Sequence, residues 1–359
     1  MTVLVANLGA EATWRGEALS PDAERRLADL APLLAVLAEP GDLLVGASHT
    51  TRPTPQAAYV LPPVTRRDDV PAGVSGADVV AWSAAGLPPR GGAAHGATWR
   101  ERLRHAPRAS EAVTRRVHGR RWLADERAAG TLPPHPRAAW VEDPEALRQA
   151  AEGAGPWVLK APFGAAGRDR VLSTSSAAGA STWNHARRAL ARWGGGLFEA
   201  WLLRDDDLGA SGIVTDAGVV PGRVHRLVTG PDGRFRGIER LAGDAQDTPL
   251  GVALARSLGP VGDRLHAAGY RGPFGVDAYA GRDAKGTSHL VAVGEVNARL
   301  TFGHLAACLF EVAAADGRTL HRLVLGSAPR GALPPGALPL VETMDGREVK
   351  AWLEGDDAS

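Results

Sequence analysis

The chain has 359 residues, a formal net charge of +1, 44% hydrophobic residues and 23% charged residues, values that argue against a nucleic-acid-binding surface or a polybasic membrane anchor. No apolar run approaches the length of a membrane span, the start MTVLVANLG lacks the regions of a signal peptide, and Cys308, the single cysteine, excludes an intramolecular disulfide. We therefore expect a soluble, cytoplasmic protein of two or three lobes.

The first 100 residues alternate between strand and helix signals. Short apolar runs over 3–8, 42–46 and 78–82 are typical of buried strands. Ser20 and Pro21 can open a helix, because serine accepts a hydrogen bond at the N-cap and proline fits the first helical position. The leucines that follow keep a helical spacing up to Pro40. The pattern predicts an N-terminal α/β lobe with a parallel sheet over residues 1–100.

A central lobe is predicted over residues 101–200. The arginine-rich stretch 99–129 is mostly helical in pattern, and Asp143-Pro144 can cap another helix. The run 157–160 reads as a strand that ends at Lys160, and the run 197–202 as a second, largely apolar strand.

A C-terminal lobe is predicted over residues 201–326, followed by a partly flexible extension over residues 327–359. The predicted elements are a hairpin over 211–227, a helix over 249–269, strands over 274–279 and 290–297, a last helix over 318–325, and a short strand over 338–341.

The strands over 274–279 and 290–297 carry Asp277, Glu295 and Asn297. Residues two apart on a strand share a face, so Glu295 and Asn297 project together, and pairing of the strands can bring Asp277 beside them. Two carboxylates and an amide oxygen suit Mg²⁺ held together with substrate phosphates. The alternative is a hairpin whose solvent-exposed face happens to be acidic.

Lys160 precedes a loop that contains Gly164 and Gly167, and a strand follows the loop. Glycines let backbone N–H groups approach phosphate oxygens, and the lysine adds a positive charge. The chain has only three lysines against a background of arginine, which makes Lys160 conspicuous. The loop is neither a Walker A loop nor a dinucleotide fingerprint, and an ordinary loop between strands is the alternative.

The stretch from Glu199 to Asp207 combines an apolar strand with an acidic segment. It can supply the purine and ribose end of a nucleotide site, with backbone groups beside Glu199 and Trp201 at the adenine edge and Asp206 at the ribose hydroxyls. By itself, it is read more simply as a buried strand followed by an exposed acidic turn.

The order of these motifs resembles that of the ATP-grasp family of carboxylate–amine ligases, over roughly Arg116 to His304. The resemblance implies a mixed α/β and α+β fold, in which an N-terminal parallel-sheet lobe precedes two α+β lobes that sandwich ATP. The segment Asn297-Ala298-Arg299 is unlike the D-alanine–D-alanine ligases and is similar to a less characterised bacterial branch, so the resemblance leaves the substrate open.

The resemblance also implies a role for each motif residue. Lys160 is similar to the second ATP-binding lysine, Asp206 lies where a ribose-binding acid is expected, and Arg240 where a phosphate-binding lysine occurs. No lysine precedes Lys160, so Arg121 or its neighbour Arg120 is expected to replace the first one. The implied nucleotide site comprises Lys160, Gly164, Gly167, Glu199, Ala200, Trp201, Leu202, Asp206 and Arg121, and the implied metal ligands are Asp277, Glu295 and Asn297.

The implied activity is ATP-dependent ligation, in which a carboxylate becomes an acylphosphate that an amine attacks, with ATP and Mg²⁺ or Mn²⁺ as cofactors. Arg240 and Arg299 are the expected catalytic residues. The alternatives are a phosphotransferase that stops at the phosphorylated product and a non-catalytic nucleotide-binding module. The expected partners are small carboxylates and amines, without nucleic acid or membrane, and a homodimer is expected only from the prevalence of such dimers.

Overall fold

The computed structural model describes most of the chain, namely residues 1–46, 50–72, 74, 79–92, 94–164, 169–174, 178–230, 235–241 and 247–355. Within these residues, no helix combines the length and the apolar character that crossing a membrane requires.

The first part of the chain forms a small parallel sheet with helices. Its elements are β1 (Val3–Val5), α1 (Ala10–Arg15), α2 (Pro21–Leu30), β2 (Leu43–Val45), β3 (Thr51–Pro53), β4 (Thr65–Arg67) and β5 (Val79–Ala81). The parallel order β4-β2-β1-β5 agrees with the predicted alternation. Ser20 caps α2 as predicted, accepting from the Ala23 N–H. The α-helix ends earlier than expected and continues as a 3-10 helix over Ala31–Leu37, because Pro32 cannot donate a helical hydrogen bond.

The arginine-rich stretch forms three short helices, α3 (Trp99–Arg104), α4 (Glu111–His118) and α5 (Arg120–Ala128). Proline at 107 separates the first two, and Gly119 separates the last two. A side chain at Gly119 would meet the Phe163 ring, since an added Cβ would lie 3.2 Å from Phe163 Cε1. The break lets α5 begin at Arg120, directly beside the loop that follows Lys160.

The central part forms an antiparallel sheet in the order β6-β9-β7-β8. Its elements are β6 (Ala138–Val141), α6 (Pro144–Ala151), β7 (Trp157–Lys160), β8 (Arg170–Ser173), α7 (Ala180–Trp193) and β9 (Gly196–Ala200). Trp157, Phe198, Leu147 and Leu190 are buried in one cluster between the sheet and its helices. Lys160 therefore lies at the end of a strand held firmly by its apolar neighbours.

The rest of the chain builds a nine-stranded sheet in the order β14-β13-β10-β11-β12-β15-β17-β16-β3. Its further elements are β10 (Leu203–Thr215), β11 (Gly218–Thr229), β12 (Phe235–Arg240), α8 (Pro249–Ala267), β13 (Gly272–Arg282), β14 (Ser288–Asn297), α9 (Phe302–Ala315), β15 (Leu320–Pro329), β16 (Leu338–Thr343) and β17 (Glu348–Gly355).

Two expectations for the C-terminal end need correction. The segment 318–325, predicted as a helix, lies largely in β15, because its backbone pairs with β12 and β17. The segment 327–359, predicted as a partly flexible extension, contributes β16 and β17, and Leu340, Val341, Ala351 and Leu353 in it are fully buried. Because β3 pairs with β16, the nine-stranded sheet also includes a strand from within residues 1–100.

The two faces of the nine-stranded sheet differ in chemistry. Leu208, Ala210 and Val276 point to α8 and are buried with Leu254 and Val261 of that helix. Residues of opposite parity, among them Gly209 and Asp277, point to the other face. We call this second face the acidic face, because it carries the carboxylates described next.

Candidate active site

One row of residues crosses five neighbouring strands on the acidic face. Glu295 of β14 lies opposite Asp277 of β13, Asp277 opposite Gly209 of β10, Gly209 opposite His225 of β11, and His225 opposite Arg240 of β12. Directly opposed residues project from the same face of a sheet. The register therefore places both predicted carboxylates at one end of a row and the predicted Arg240 at the other.

Asn297 belongs to the neighbouring row. It lies opposite Gly275, which lies opposite Ser211, and its Nδ2 is 3.4 Å from Asp277 Oδ2. Asp277, Glu295 and Asn297 are thus brought together. Among the described residues, no group of three or more His, Cys, Asp and Glu side chains is arranged to hold a metal ion. The two carboxylates and the amide fit Mg²⁺ only as a partial shell that phosphate oxygens and water complete.

The two carboxylates differ in their electrostatic surroundings. Burial and the nearby Glu295 carboxylate raise the pKa of Asp277 to about 7. Burial also opposes ionisation of Glu295, but the cations of Arg120 and Lys160 outweigh it and hold the pKa of Glu295 below its ordinary value. Two like charges in so small a space favour binding of a cation between them.

The central sheet presents Lys160 to the same cleft. The Lys160 ammonium forms an ion pair with Glu199 of β9, and Arg127 Nη1 lies 3.1 Å from Glu199 Oε1. Glu199 is 1% exposed. Burial opposes its ionisation, but Lys160, His135 and Arg127 keep the pKa of Glu199 well below the usual range. The side chain of Glu199 therefore serves as an anchor for two cations.

The loop after Lys160 is tied to the first helix of the chain. Arg15 Nη1 donates to the Phe163 carbonyl at 2.8 Å and lies 2.6 Å from Asp169 Oδ2. Asp169 has a φ of 55°, a left-handed conformation that aspartate tolerates better than most residues. Gly164 accepts a hydrogen bond on its carbonyl from Arg120, whereas the predicted Gly167 lies outside the described residues.

Arg299 is held by a buried carboxylate from α1. Its Nε donates to Glu11 Oε1 at 2.6 Å, and its guanidinium stacks 5.3 Å from the Trp82 ring. His118 lies between Glu11 and the segment that carries Arg299. Its Nε2 is 3.5 Å from Glu11 Oε1, and its Nδ1 accepts from the Ala298 N–H at 3.1 Å. Sequence reasoning missed Glu11 and His118. The only local signal for Glu11 was its place shortly after a predicted strand.

Three solved structures resemble the chain over nearly its whole length. They are phosphoribosylamine–glycine ligase from Thermotoga maritima (TM-score 0.54, 14% identity, 99% of this chain and 92% of that one), N5-carboxyaminoimidazole ribonucleotide synthetase from Thermus thermophilus (0.51, 15%, 100% and 94%), and an N5-carboxyaminoimidazole ribonucleotide synthetase with ADP (0.50, 14%, 99% and 92%). No family model and no curated protein matches the chain.

The chain has the ATP-grasp fold. At identities this low the likeness establishes the fold alone, and it confirms the fold predicted from the motif order.

Within the ATP-grasp fold, Arg120 rather than Arg121 faces the cleft. Arg120 Nη2 lies 2.8 Å from Glu295 Oε1, and its Nη1 donates to the Ala161 carbonyl at 2.8 Å. Arg121 is about half exposed, pairs with Asp125 and Glu142, and points away from these groups. Neighbouring residues on a helix are about 100° apart, so one of them turns away when the other faces the site. Of the two arginines that the sequence offered for this role, Arg121 and Arg120, we therefore propose Arg120.

The acid on β10 that faces the cleft is Asp207. Asp207 lies opposite Tyr279 and shares the face of Gly209 and Asp277. The predicted Asp206 projects from the other face, where it pairs with Arg226. From Asp206 to Gly209 the pairing of β10 with β13 is regular, so strand alternation places Asp207 on the face of Gly209 and Asp206 on the opposite face.

The predicted adenine segment lies at the end of β9, where two of its donors are already used. The Ala200 N–H donates to the Arg137 carbonyl and the Trp201 N–H to the Pro156 carbonyl, each at 2.9 Å. Leu202 is buried, and the Arg170 guanidinium stacks 5.5 Å from the Trp201 ring.

Proposed function

We propose that the protein is an ATP-dependent ligase that activates a carboxylate as an acylphosphate and joins it to an amine, releasing ADP and phosphate. The proposal rests on one observation, that carboxylates on one side of the cleft lie opposite cations on the other side. Asp277 and Glu295 lie side by side on the nine-stranded sheet, and Arg120 and Lys160 reach toward them from α5 and the central sheet. A triphosphate with its divalent cation is a ligand that matches both sets of charges.

The ATP-grasp fold supports this reading, because the solved structures that share it carry the names of a phosphoribosylamine–glycine ligase and of a synthetase with bound ADP. We extend to this chain only the general reaction, ATP-dependent formation of a bond to an activated carboxylate. The carboxylate and amine are small molecules whose identity the fold does not specify.

Each residue in the cleft has a proposed task in this reaction. Lys160, Arg120 and Arg240 neutralise phosphate oxygens while the γ-phosphoryl group moves to the carboxylate, a step that depends on positioning and charge more than on covalent help. Asp207 faces the ribose. Mg²⁺ or Mn²⁺, when bound by Asp277, Glu295 and Asn297, supplies further neutralisation of the phosphates.

The contacts of Arg299 add a positioning role to the catalytic role expected from the sequence. Its pairing with Glu11 and its stacking on Trp82 fix the segment that follows the metal strand to the N-terminal sheet. We propose that Arg299 positions this segment and that its remaining donors face the acylphosphate or the acceptor. The four predicted parts, residues 1–100, 101–200, 201–326 and 327–359, are retained as a proposed division, with β3 as the strand that joins the first to the last.

The test is Mg²⁺-dependent release of ADP from ATP in the presence of an equimolar pool of the proteinogenic amino acids and succinate, followed by mass spectrometry. We expect ADP together with a condensed mass. ADP without a condensed mass would favour phosphotransfer, and binding of Mg·ATP without ADP would favour a binding module.

Glu295→Gln should lower ADP formation about 100-fold or more while the protein stays folded, because the variant loses one of two charged ligands. Glu348→Gln is the matched control, since Glu348 lies on the same sheet in an exposed pair with Lys350. Full turnover in Glu295→Gln would rule out the proposed metal site.

A further inference from the structure

His225 lies on the acidic face, between the proposed metal site and Arg240. It is 9% exposed and stands in the same row as Asp277, separated from it by Gly209. The proposed reaction assigns phosphate neutralisation, metal binding and ribose binding to other residues, and it assigns no residue to accept a proton from the incoming amine.

Two glycines make room for the imidazole ring of His225. A Cβ added to Gly209 would lie 2.6 Å from His225 Nε2, and one added to Gly303, in the first turn of α9, would lie 2.6 Å from the same nitrogen. Contacts below 3 Å do not occur with real Cβ atoms, so any side chain at either position would displace the ring. Nε2 therefore sits between β10 and the start of α9, above the gap that Gly209 leaves beside Asp277.

The hydrogen bonding of His225 fixes which nitrogen carries the proton. Nδ1 lies 3.3 Å from the Arg223 carbonyl oxygen. A carbonyl can only accept, so Nδ1 bears the hydrogen and Nε2 presents a lone pair. Burial lowers the pKa of His225 to about 4, which keeps the ring neutral at neutral pH.

The charged and titratable groups that face this ring come from each neighbouring element. They are Arg240 on β12, Asp277 on β13 beyond Gly209, Asp207 on β10 and His304 on α9.

His225 differs in its hydrogen bonding from the other buried histidines in the described part of the chain. His118 and His135 each have both ring nitrogens within reach of partners, Ala298 and Glu11 for the first, Arg137 and Tyr279 for the second. His304 bonds Thr301 through Nδ1 and lies 3.2 Å from the Gly212 carbonyl through Nε2. Among these four rings, only His225 has a nitrogen lone pair without a described hydrogen-bond partner.

An unpartnered hydroxyl lies next to this nitrogen. Ser211 is 2% exposed, and its Oγ has no hydrogen-bond partner among the described residues. Ser211 Oγ would lie 2.9 Å from a Cβ at Gly303, the same point that lies 2.6 Å from His225 Nε2. Buried polar atoms without partners are uncommon in folded proteins. The Nε2 lone pair and the Ser211 hydroxyl, both beside Gly303, are therefore left without a partner from the described residues and are available to a polar group of a ligand.

We propose that His225 Nε2 accepts the proton from the amine when it attacks the acylphosphate. This role of His225 rests on the proposed ligase function. The amine nitrogen forms the C–N bond with its lone pair, and one N–H proton passes to Nε2. The C–O bond to the phosphate breaks with its electron pair on the phosphate oxygen. The imidazolium then returns the proton to the departing phosphate, so the ring ends the cycle neutral.

The test separates the two half-reactions in His225→Asn. The asparagine amide can still donate to the Arg223 carbonyl, but it has no group at the position of Nε2. With Mg·ATP and the amino-acid pool, acylphosphate formation is followed as ADP and as hydroxamate trapped by hydroxylamine, a strong nucleophile that is neutral at pH 7. Amide formation is followed by mass spectrometry. His289→Asn is the matched control, because His289 pairs with Asp283 in the hairpin turn, far from this row.

We expect His225→Asn to form hydroxamate within about threefold of the wild type and to lose amide formation about 100-fold or more, the usual contribution of a general base. The remaining amide formation should rise with pH, as the free amine fraction grows. Equal loss of both products, or no loss of the amide, would overturn the assignment. Absence of ADP and hydroxamate from the wild-type protein would instead overturn the ligase function, and this inference with it.

Discussion

Glu199 and Glu295 are both carboxylates that face the same cleft, but they differ in the charges of their neighbours. In the central sheet, Glu199 lies between two cations, Lys160 and Arg127. In the nine-stranded sheet, Glu295 has one paired cation, Arg120, and a second carboxylate, Asp277, directly opposite. The first cluster carries an excess of positive charge and the second an excess of negative charge.

This difference indicates separate roles for the two sheets that border the cleft. A buried carboxylate with two cations is a structural anchor, because it holds both cations in place for a negatively charged ligand. Two neighbouring carboxylates that share one cation repel each other, and binding of a second cation relieves this repulsion. We infer that the central sheet presents charge to the phosphates and that the nine-stranded sheet presents charge to the metal.

The largest expected effect comes from removing the anchor. Glu199→Gln leaves Lys160 and Arg127 buried without a counter-charge, and breaking a buried pair in this way costs about 3–5 kcal/mol of unfolding free energy. Chemical denaturation at pH 7 measures it. Glu142→Gln is the control, because Glu142 pairs with Arg121 on the surface. A Glu199→Gln protein as stable as the control would show that the anchor role is wrong.

The choice between Arg120 and Arg121 should appear in nucleotide affinity. Arg120→Gln is expected to raise the KM for ATP about 10- to 100-fold, because a charge-assisted hydrogen bond contributes about 1.5–3 kcal/mol. Arg121→Gln should leave the KM unchanged. Steady-state kinetics of ADP formation at varied Mg·ATP concentration check both values. If the two variants behaved alike, Arg120 would not be the phosphate-facing residue.

His135 lies near Glu199, Arg127 and Lys160, and its titration should affect the pH dependence of the unfolding free energy. Burial lowers the pKa of His135 to about 4, below its ordinary value of 6.5. The unfolded chain therefore binds a proton that the folded chain rejects, and this contribution to stability is present above pH 6.5 and is lost as the pH falls toward 4. His135→Asn should remove up to about 1.4 kcal/mol per pH unit of this slope. Denaturation at about pH 7, 6 and 5 measures it across the window in which the unfolded chain takes up the proton, and an unaltered slope would contradict the assignment.

The smallest expected effect concerns the ribose end. Asp207→Asn should raise the KM for ATP about five- to tenfold, the usual value of one hydrogen bond, whereas Asp206→Asn should not. The comparison tests whether the nucleotide binds on the face of β10 that carries Asp207 and Gly209. A larger effect for Asp206 would mean that nucleotide binding uses the other parity.

Several features of the proposed nucleotide and metal site could be predicted from local sequence. Glu295 and Asn297 are two apart on a strongly apolar strand, which places them on one face whatever the rest of the chain does. Lys160 ends an apolar strand before a glycine-containing loop, and Ser20 and Pro21 open α2 through short-range hydrogen bonding. These predictions depend on the backbone period alone.

The remaining features depend on contacts between distant parts of the chain. The choice of Arg120 over Arg121 follows from where α5 begins, and the choice of Asp207 over Asp206 from the register of β10 against β13. The strand that replaced the helix predicted over 318–325 exists because β12 and β17 pair with it.

The sequence by itself determined the order of the motifs and the shared face of Glu295 and Asn297 on β14, because hydrophobic periodicity and caps act over a few residues. Only the tertiary structure decided that Glu11 of α1 holds Arg299 and that His225 stands in line with Asp277. Register, bulges and pairing between lobes set these neighbours, and they join residues up to 288 positions apart, a distance over which no local pattern carries information.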